Sequence, residues 1–167
     1  MTPVAAPLPR DVSCVVIGAI LTLSIAIWGP GSTYAQREPG SLTVGAQAGH
    51  TSGLTVKLYR RPSTAYEALL TFDGEGLIQL GLFRVREQPV PPDTLVHAFY
   101  GPGVLVGERE LTTGPTPEVA VGGKVGINFY SGRFEVFVHA TPATHVHPNL
   151  APTVGGGFGL RYDLYRP

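Results

Sequence analysis

Residues 154–165 read Val-Gly-Gly-Gly-Phe-Gly-Leu-Arg-Tyr-Asp-Leu-Tyr, and two kinds of side chain alternate along this segment. Apolar or aromatic side chains occupy every second position from Phe158 to Leu164, and glycine, Arg161 and Asp163 occupy the positions between them. Successive side chains of a β-strand point to opposite faces. The pattern therefore predicts a strand with one apolar face and one small or charged face.

The same two-residue period recurs along the chain from residue 42 onwards. We predict eight strands, at residues 42–49, 54–59, 66–73, 78–83, 96–106, 119–129, 134–139 and 154–164. The connections are rich in turn-forming residues and are too short for a crossover helix, so neighbouring strands should pair antiparallel. Closure leaves no open sheet edge. The predicted fold is an all-β, eight-stranded antiparallel up-and-down (meander) barrel.

Composition excludes several classes of protein. The chain has 12 Lys and Arg against 12 Asp and Glu, so it lacks the positive charge of a nucleic-acid-binding protein. A single cysteine excludes an internal disulfide and a zinc site built on several thiolates. The 22 glycines and 16 prolines disfavour a helical bundle, since both residues weaken helix interiors.

The N-terminal segment resembles an export signal. Residues 12–28 form an uncharged apolar run, and the small residues Thr33 and Ala35 fit cleavage after Ala35. The run approaches the lower length limit for crossing a membrane, so an uncleaved anchor is the alternative. We predict a helical signal peptide at residues 1–35, a short lead at 36–40 and the barrel domain at 41–167.

The polar strand faces separate a soluble barrel from a membrane barrel. A membrane barrel turns its apolar face to lipid and its polar face to the lumen. Here the polar faces combine many glycines with charges that nearly balance, and the apolar faces carry no charge at mid-strand. We therefore predict a transmembrane barrel, filled by a structural network of lumen charges: Lys57, Glu67, Lys124, Glu135, Arg161 and Asp163.

Aromatic residues concentrate near one end of the predicted strands. If the chain begins in the periplasm, they form an interfacial belt at the periplasmic rim. The residues predicted for this belt are Tyr59, Tyr66, Phe83, Tyr100, Phe129, Tyr130, Phe134, Tyr162 and Tyr165.

With its signal segment, alternating strands and aromatic-ended last strand, the chain resembles the small bacterial outer-membrane β-barrels of the OmpA-transmembrane-domain and OmpX-like group. The resemblance implies an outer-membrane location, with the lipid bilayer as one partner and the barrel-insertion machinery, reading the C-terminal strand 155–165, as another. Two features depart from the group. Arg166 and Pro167 follow the last aromatic residue, and Pro102 lies inside the fifth strand, where we expect a bulge or a shortened strand.

The sequence contains no strong signal for catalysis, a cofactor or a metal. Three histidines, His139, His145 and His147, lie close in sequence but have no carboxylate nearby. We predict a structural or surface-interaction role without catalysis, with a possible surface ligand at two long loops, residues 108–117 and 140–153. One alternative is a periplasmic or membrane-tethered calycin-like barrel with its apolar faces inward and a small apolar ligand. Another is a lipid-modifying barrel hydrolase, which would need Ser52 close to His50 or His147.

Overall fold

The computed structural model of the chain describes residues 37–50, 52–72, 76–90, 95–111 and 114–167. The predicted signal peptide, residues 1–35, lies outside the described residues. Among the residues that the structure describes, no helix is long and apolar enough to cross a membrane. The eight strands are β1 (Leu42–Gly49), β2 (Ser52–Arg61), β3 (Thr64–Phe72), β4 (Leu77–Pro89), β5 (Val96–Leu111), β6 (Gly114–Ser131), β7 (Phe134–His147) and β8 (Ala151–Tyr165).

The strands form a closed antiparallel barrel. Each strand pairs with its neighbour in the chain, and β1 also pairs with β8. The predicted eight-stranded meander barrel is therefore confirmed. We call the end where β1 begins and β8 ends the terminal rim, and the opposite end the distal rim. The register sets Lys57 opposite Glu67 and Glu135 opposite Arg161, so opposite charges are adjacent across strand pairs.

The two faces of the sheet are sorted as in a membrane barrel. Lys57, Lys124 and Arg161 are almost completely buried in the lumen, whereas about half of the surface of Leu82 and Ile127 is exposed on the outside. The calycin-like alternative required the valine and leucine faces to point inward, and that orientation is wrong. A calycin-like barrel would place the charged side chains on its outer surface, in solvent. Here the charged side chains are buried in the lumen, where they form ion pairs.

The two long loops predicted at residues 108–117 and 140–153 are wrong in extent. Strand β5 continues to Leu111, β6 starts at Gly114, and only residues 148–150 separate β7 from β8. Prolines in these stretches made them look like loops. Pro115 and Pro117 pair with β5 only, because the β6–β7 pairing begins at Val119, and an open strand edge tolerates a missing N–H.

Pro102 causes neither the bulge nor the shortening that we predicted. The β4–β5 pairing runs from Leu77 to Phe83 opposite Gly103, then resumes at Arg86 opposite Tyr100 in the same register. The two pairs between these points are missing, because proline has no N–H to donate. On the other edge of β5, the pairing with β6 continues through Pro102 in an unbroken register and keeps β5 straight.

Phenylalanine and glycine face each other across neighbouring strands inside the barrel. The directly opposed pairs are Phe83–Gly103, Phe99–Gly126 and Phe137–Gly159. A Cβ atom added at each of these glycines would lie between 2.1 and 2.6 Å from the ring of its partner. The lumen is therefore filled by alternating large and absent side chains, as a narrow eight-stranded barrel requires.

Candidate functional site

The lumen holds a compact group of six buried ionised side chains, which we call the lumen charge cluster. Strands β2, β3, β4, β6, β7 and β8 each contribute one member, so nearly the whole barrel wall takes part. Each side chain is at most 4% exposed. The members are Lys57, Glu67, Glu87, Lys124, Glu135 and Arg161.

Arg161 connects two carboxylates of the cluster. Its Nη1 donates to Glu135 Oε1 at 2.5 Å, and its Nη2 donates to Glu67 Oε1 at 2.6 Å. Lys124 Nζ donates to the same Glu67 oxygen at 2.5 Å. The Thr55 hydroxyl also joins the network, accepting from Arg161 Nε at 3.2 Å and donating to Glu67 at 3.1 Å. One arginine thus fixes the positions of β3, β7 and β8 relative to one another.

Lys57 and Glu87 form the part of the cluster closer to the terminal rim. Lys57 forms an ion pair with Glu87, and its Nζ is also 3.0 Å from Glu135 Oε1. Three neutral donors complete the shell of Glu87. Tyr130 OH donates at 2.7 Å, Asn128 Nδ2 at 2.8 Å and Tyr59 OH at 3.2 Å.

Charge within the cluster is balanced, with three cations facing three carboxylates. Balance matters because an isolated buried charge costs several kcal/mol, while removing one member of a buried pair costs ~3–5 kcal/mol. Aromatic rings also contact the cations Arg161 and Lys124 through cation–π interactions. The Arg161 guanidinium lies 3.7 Å from the ring centroid of Phe137, and Lys124 lies between the rings of Phe83 and Phe137.

All six lumen charges identified from the sequence lie on the lumen side of the barrel. Five of them belong to the cluster, whereas Asp163 pairs with Arg37 and, at 3.3 Å, with Arg166. Sequence analysis missed Glu87, the sixth member. Its position is in phase with Phe83 and the other inward residues of β4, so continuing the alternation past residue 83 would have found it.

Arg37 extends from the N-terminal lead into the terminal rim of the barrel. It is buried, pairs with Asp163 and lies 4.9 Å from the ring centroid of Tyr130. The hydroxyls of Tyr59 and Tyr130 are 2.9 Å apart beneath it. This end of the lumen is thus filled by side chains. No strand periodicity could have predicted the role of Arg37, which precedes β1.

The predicted aromatic belt needs a correction. Tyr59, Phe83 and Tyr130 point into the lumen rather than to the outside, because each lies in phase with the buried residues of its strand. The outward-facing aromatic residues near the terminal rim are Tyr66, Tyr100, Phe134, Tyr162 and Tyr165. Phe129 is in phase with the exposed Ile127 of β6 and is half-buried.

A small cavity opens in the distal half of the lumen. Its volume is about 90 Å³, and its lining includes Leu105, Gln79, His139, Glu118 and His145. Polar groups form much of the wall, while leucine and alanine side chains form the rest. A space of this size holds a few water molecules and is far below the ~300–1,000 Å³ of ordinary small-molecule pockets.

The three histidines that the sequence singled out lie in different environments. His139 is buried, while His145 Nδ1 lies 3.9 Å from Glu118 Oε2 and His147 is exposed. Within the described ranges, no group of three or more His, Cys, Asp or Glu side chains could hold a metal ion. Ser52 is exposed at the start of β2, in the distal rim.

Comparison with known proteins gives a structural relative. No family model matches the sequence, and no curated protein sequence matches it. The crystal structure of the N-terminal β-barrel domain of Pseudomonas aeruginosa OprF is similar, with a TM-score of 0.61 and 9% sequence identity. The match covers 77% of this chain and 100% of that chain. The chain therefore shares the eight-stranded barrel fold of that domain.

Proposed function

We propose that this chain is an outer-membrane β-barrel protein with a structural or surface-interaction role and no catalytic activity. One observation carries the proposal: the barrel exposes its apolar residues and buries its charges. More than twenty large apolar side chains are exposed on the outside, among them residues from every strand from β2 to β8, while the lumen holds the charge cluster. In water such a surface would aggregate, whereas in a bilayer it is fully solvated by lipid.

The strands have suitable lengths for this role. A tilted membrane strand needs ~9–11 residues, and β2, β3 and β4 have 10, 9 and 13 residues. The outward-facing tyrosines and phenylalanines at the terminal rim fit the interfacial position that such rings prefer. The shared fold with the OprF domain supports the same location. Export through a cleaved signal peptide at residues 1–35 is part of the proposal.

The lumen argues for a structural rather than a conducting barrel. Arg37 and the two tyrosine hydroxyls fill the terminal rim, the charge cluster fills the middle, and the distal cavity measures only about 90 Å³. An open water-filled channel is a property of wider barrels. Surface interaction would then use the β5–β6 and β7–β8 hairpin ends, residues 108–117 and 140–153, while the last strand, 155–165, is the segment that insertion machinery would recognise.

Fractionation of cells tests this proposal. We expect the folded chain in the outer-membrane fraction, resistant to an alkali wash and changed in gel mobility by boiling. Recovery in the soluble periplasmic fraction would contradict the proposal.

A point variant sharpens the same test. Val125 is 49% exposed on the outer face, and arginine at a lipid-facing position destabilises a barrel, by up to ~2–4 kcal/mol at the bilayer midplane. Val125→Arg should therefore lower the fraction of heat-modifiable protein in the outer membrane, while the matched Val125→Leu should not. Equal yields of the two variants would contradict a lipid-facing position.

A further inference from the structure

Four arginines cluster on the outside of the barrel near the terminal rim. Arg60 and Arg61 end β2, and Arg84 and Arg86 lie in the second half of β4. All four are exposed. In the part of the chain that the structure describes, none of them forms an ion pair, whereas the lumen cations all do. We call these residues the arginine cluster.

Three adjoining grooves meet at this cluster. The first, of about 380 Å³, is lined by Arg61, Arg84 and Arg86 together with Tyr100, and the second, of about 370 Å³, is lined by Arg60, Arg61 and Arg84. The third groove is larger, at about 620 Å³, and extends from Arg84 towards the middle of the barrel. Arg84 lines all three grooves, so they form one continuous surface depression.

The third groove is apolar, and it lies where the pairing of β4 with β5 is interrupted. Its walls come from aliphatic and aromatic side chains of β2, β3, β4 and β5, including Leu58, Leu82 and Val104. It also includes Pro102, next to which the β4–β5 pairing lacks two residue pairs. The interrupted pairing beside Pro102 leaves a recess on the outer wall.

This combination fits an amphiphile with an anionic head and an acyl chain. Guanidinium groups bind phosphate oxygens in pairs of parallel hydrogen bonds, and uncompensated arginines favour an anion over a zwitterion. The apolar groove adjoins the arginine cluster at Arg84 and is lined by Leu58, Leu82 and Val104, so an acyl chain that descends from the head would meet apolar walls. Tyr66 lines both the second groove and the apolar one, so its ring lies at the boundary between head and chain.

We propose that the arginine cluster and the adjoining groove bind one anionic phospholipid, with its phosphodiester at Arg61, Arg84 and Arg86 and one acyl chain along Leu82 and Val104. The proposal rests on the proposed function, because it takes the terminal rim as the periplasmic side of the outer membrane. That leaflet consists of phospholipid, which is why a phospholipid is the expected occupant rather than lipopolysaccharide.

Native mass spectrometry of the full chain in maltoside micelles tests the proposal, with dioleoyl phosphatidylglycerol and dioleoyl phosphatidylcholine as probes. We expect one phosphatidylglycerol to be retained at least tenfold more strongly than phosphatidylcholine. Arg61→Gln with Arg84→Gln should abolish that preference. The matched control, Arg133→Gln with Arg166→Gln, removes two exposed arginines from the same rim outside the grooves and should keep it.

Two further measurements distinguish the contribution of the acyl chain from that of the head group, and a comparison with lipopolysaccharide identifies the kind of lipid bound. Ala68→Phe fills the apolar groove and should weaken phosphatidylglycerol retention, whereas glycerol phosphate, which has no acyl chain, should not compete. Equal retention of both lipids, equal loss in the control variant, or stronger binding of lipopolysaccharide would overturn the proposal. Heat-modifiable mobility of the same samples reports the barrel itself, so failure of the lipid site is distinguishable from failure of the proposed function.

Discussion

Individual residues fill this barrel by two complementary devices, ion pairs and phenylalanine–glycine pairs. A period of two fixes the face of every side chain once the strand is known, and the charged residues that the alternation predicts for the lumen are buried. The alternation could not predict which charges meet. Lys57 and Glu87, on β2 and β4, are brought together by the curvature of the closed wall and not by adjacent strand pairing.

Glu87 offers a direct test of the buried ion pairs. Glu87→Gln keeps the shape of the side chain but leaves three cations facing two carboxylates in the cluster. We expect the free energy of unfolding to fall by about 3 kcal/mol, the lower end for breaking a buried pair. Urea-induced unfolding in lipid vesicles, followed by gel mobility, measures this change.

Glu108→Gln serves as the control for that experiment, because Glu108 is exposed in the distal part of β5. Its effect should stay below about 0.5 kcal/mol, as is usual for surface substitutions. A similar loss of stability in both variants would show that the buried pairs contribute nothing specific.

Glycine substitution tests the phenylalanine–glycine pairs. A Cβ at Gly126 would lie 2.6 Å from Phe99 Cζ and 2.2 Å from the Val138 carbonyl oxygen, whereas a Cβ at Gly155 has its nearest neighbour at 4.0 Å. Gly126→Ala should therefore cost about 1–3 kcal/mol through overpacking. Gly155→Ala, the matched control, should be near neutral in the same urea titration, and the reverse order of stabilities would refute this packing.

At the scale of elements, the eight strands were predictable, but the distal ends of β5 to β8 and the terminal-rim end of β4 were not. The alternation in β5 to β8 weakens where proline, threonine and charged residues accumulate. In these segments the composition of a long hairpin resembles that of a loop, so the sequence alone does not distinguish the two. The structure extends β6 to 18 residues, and β5 is its only paired neighbour at Pro115 and Pro117. Proline at an open strand edge is compatible with pairing on the other side.

The turns at the two rims allow a test of the proposed direction of the barrel in the membrane. An epitope inserted between Leu111 and Gly114 should bind antibody on intact cells, because the distal rim faces outward in the proposed orientation. An epitope inserted at Gly132, in the turn between β6 and β7 at the terminal rim, should bind only after the outer membrane is permeabilised. Labelling with the opposite preference would reverse the orientation and move the arginine cluster to the outer leaflet.

At the scale of the whole molecule, closure and the reversed distribution of polarity followed from sequence because they depend on pattern alone. Eight alternating segments with short links have few other arrangements that satisfy every strand edge. The position of Arg37 in the terminal rim was not predictable, since it depends on where the N-terminal lead folds back onto Asp163. The grooves around Arg84 likewise arise from three-dimensional proximity of β2, β4 and β5.

In the proposed membrane position, lipid contacts the apolar face of this barrel and not its lumen. Tryptophan fluorescence tests it, since Trp28 is the single tryptophan of the chain and Trp28→Phe removes it. In that background, Ile127→Trp introduces an outer-face reporter and Phe137→Trp introduces a lumen reporter. We expect phospholipids brominated at mid-chain to quench the outer-face reporter strongly and the lumen reporter little in refolded vesicle samples. Strong quenching of the lumen reporter with little quenching of the outer-face reporter would mean that the apolar face is not in contact with lipid.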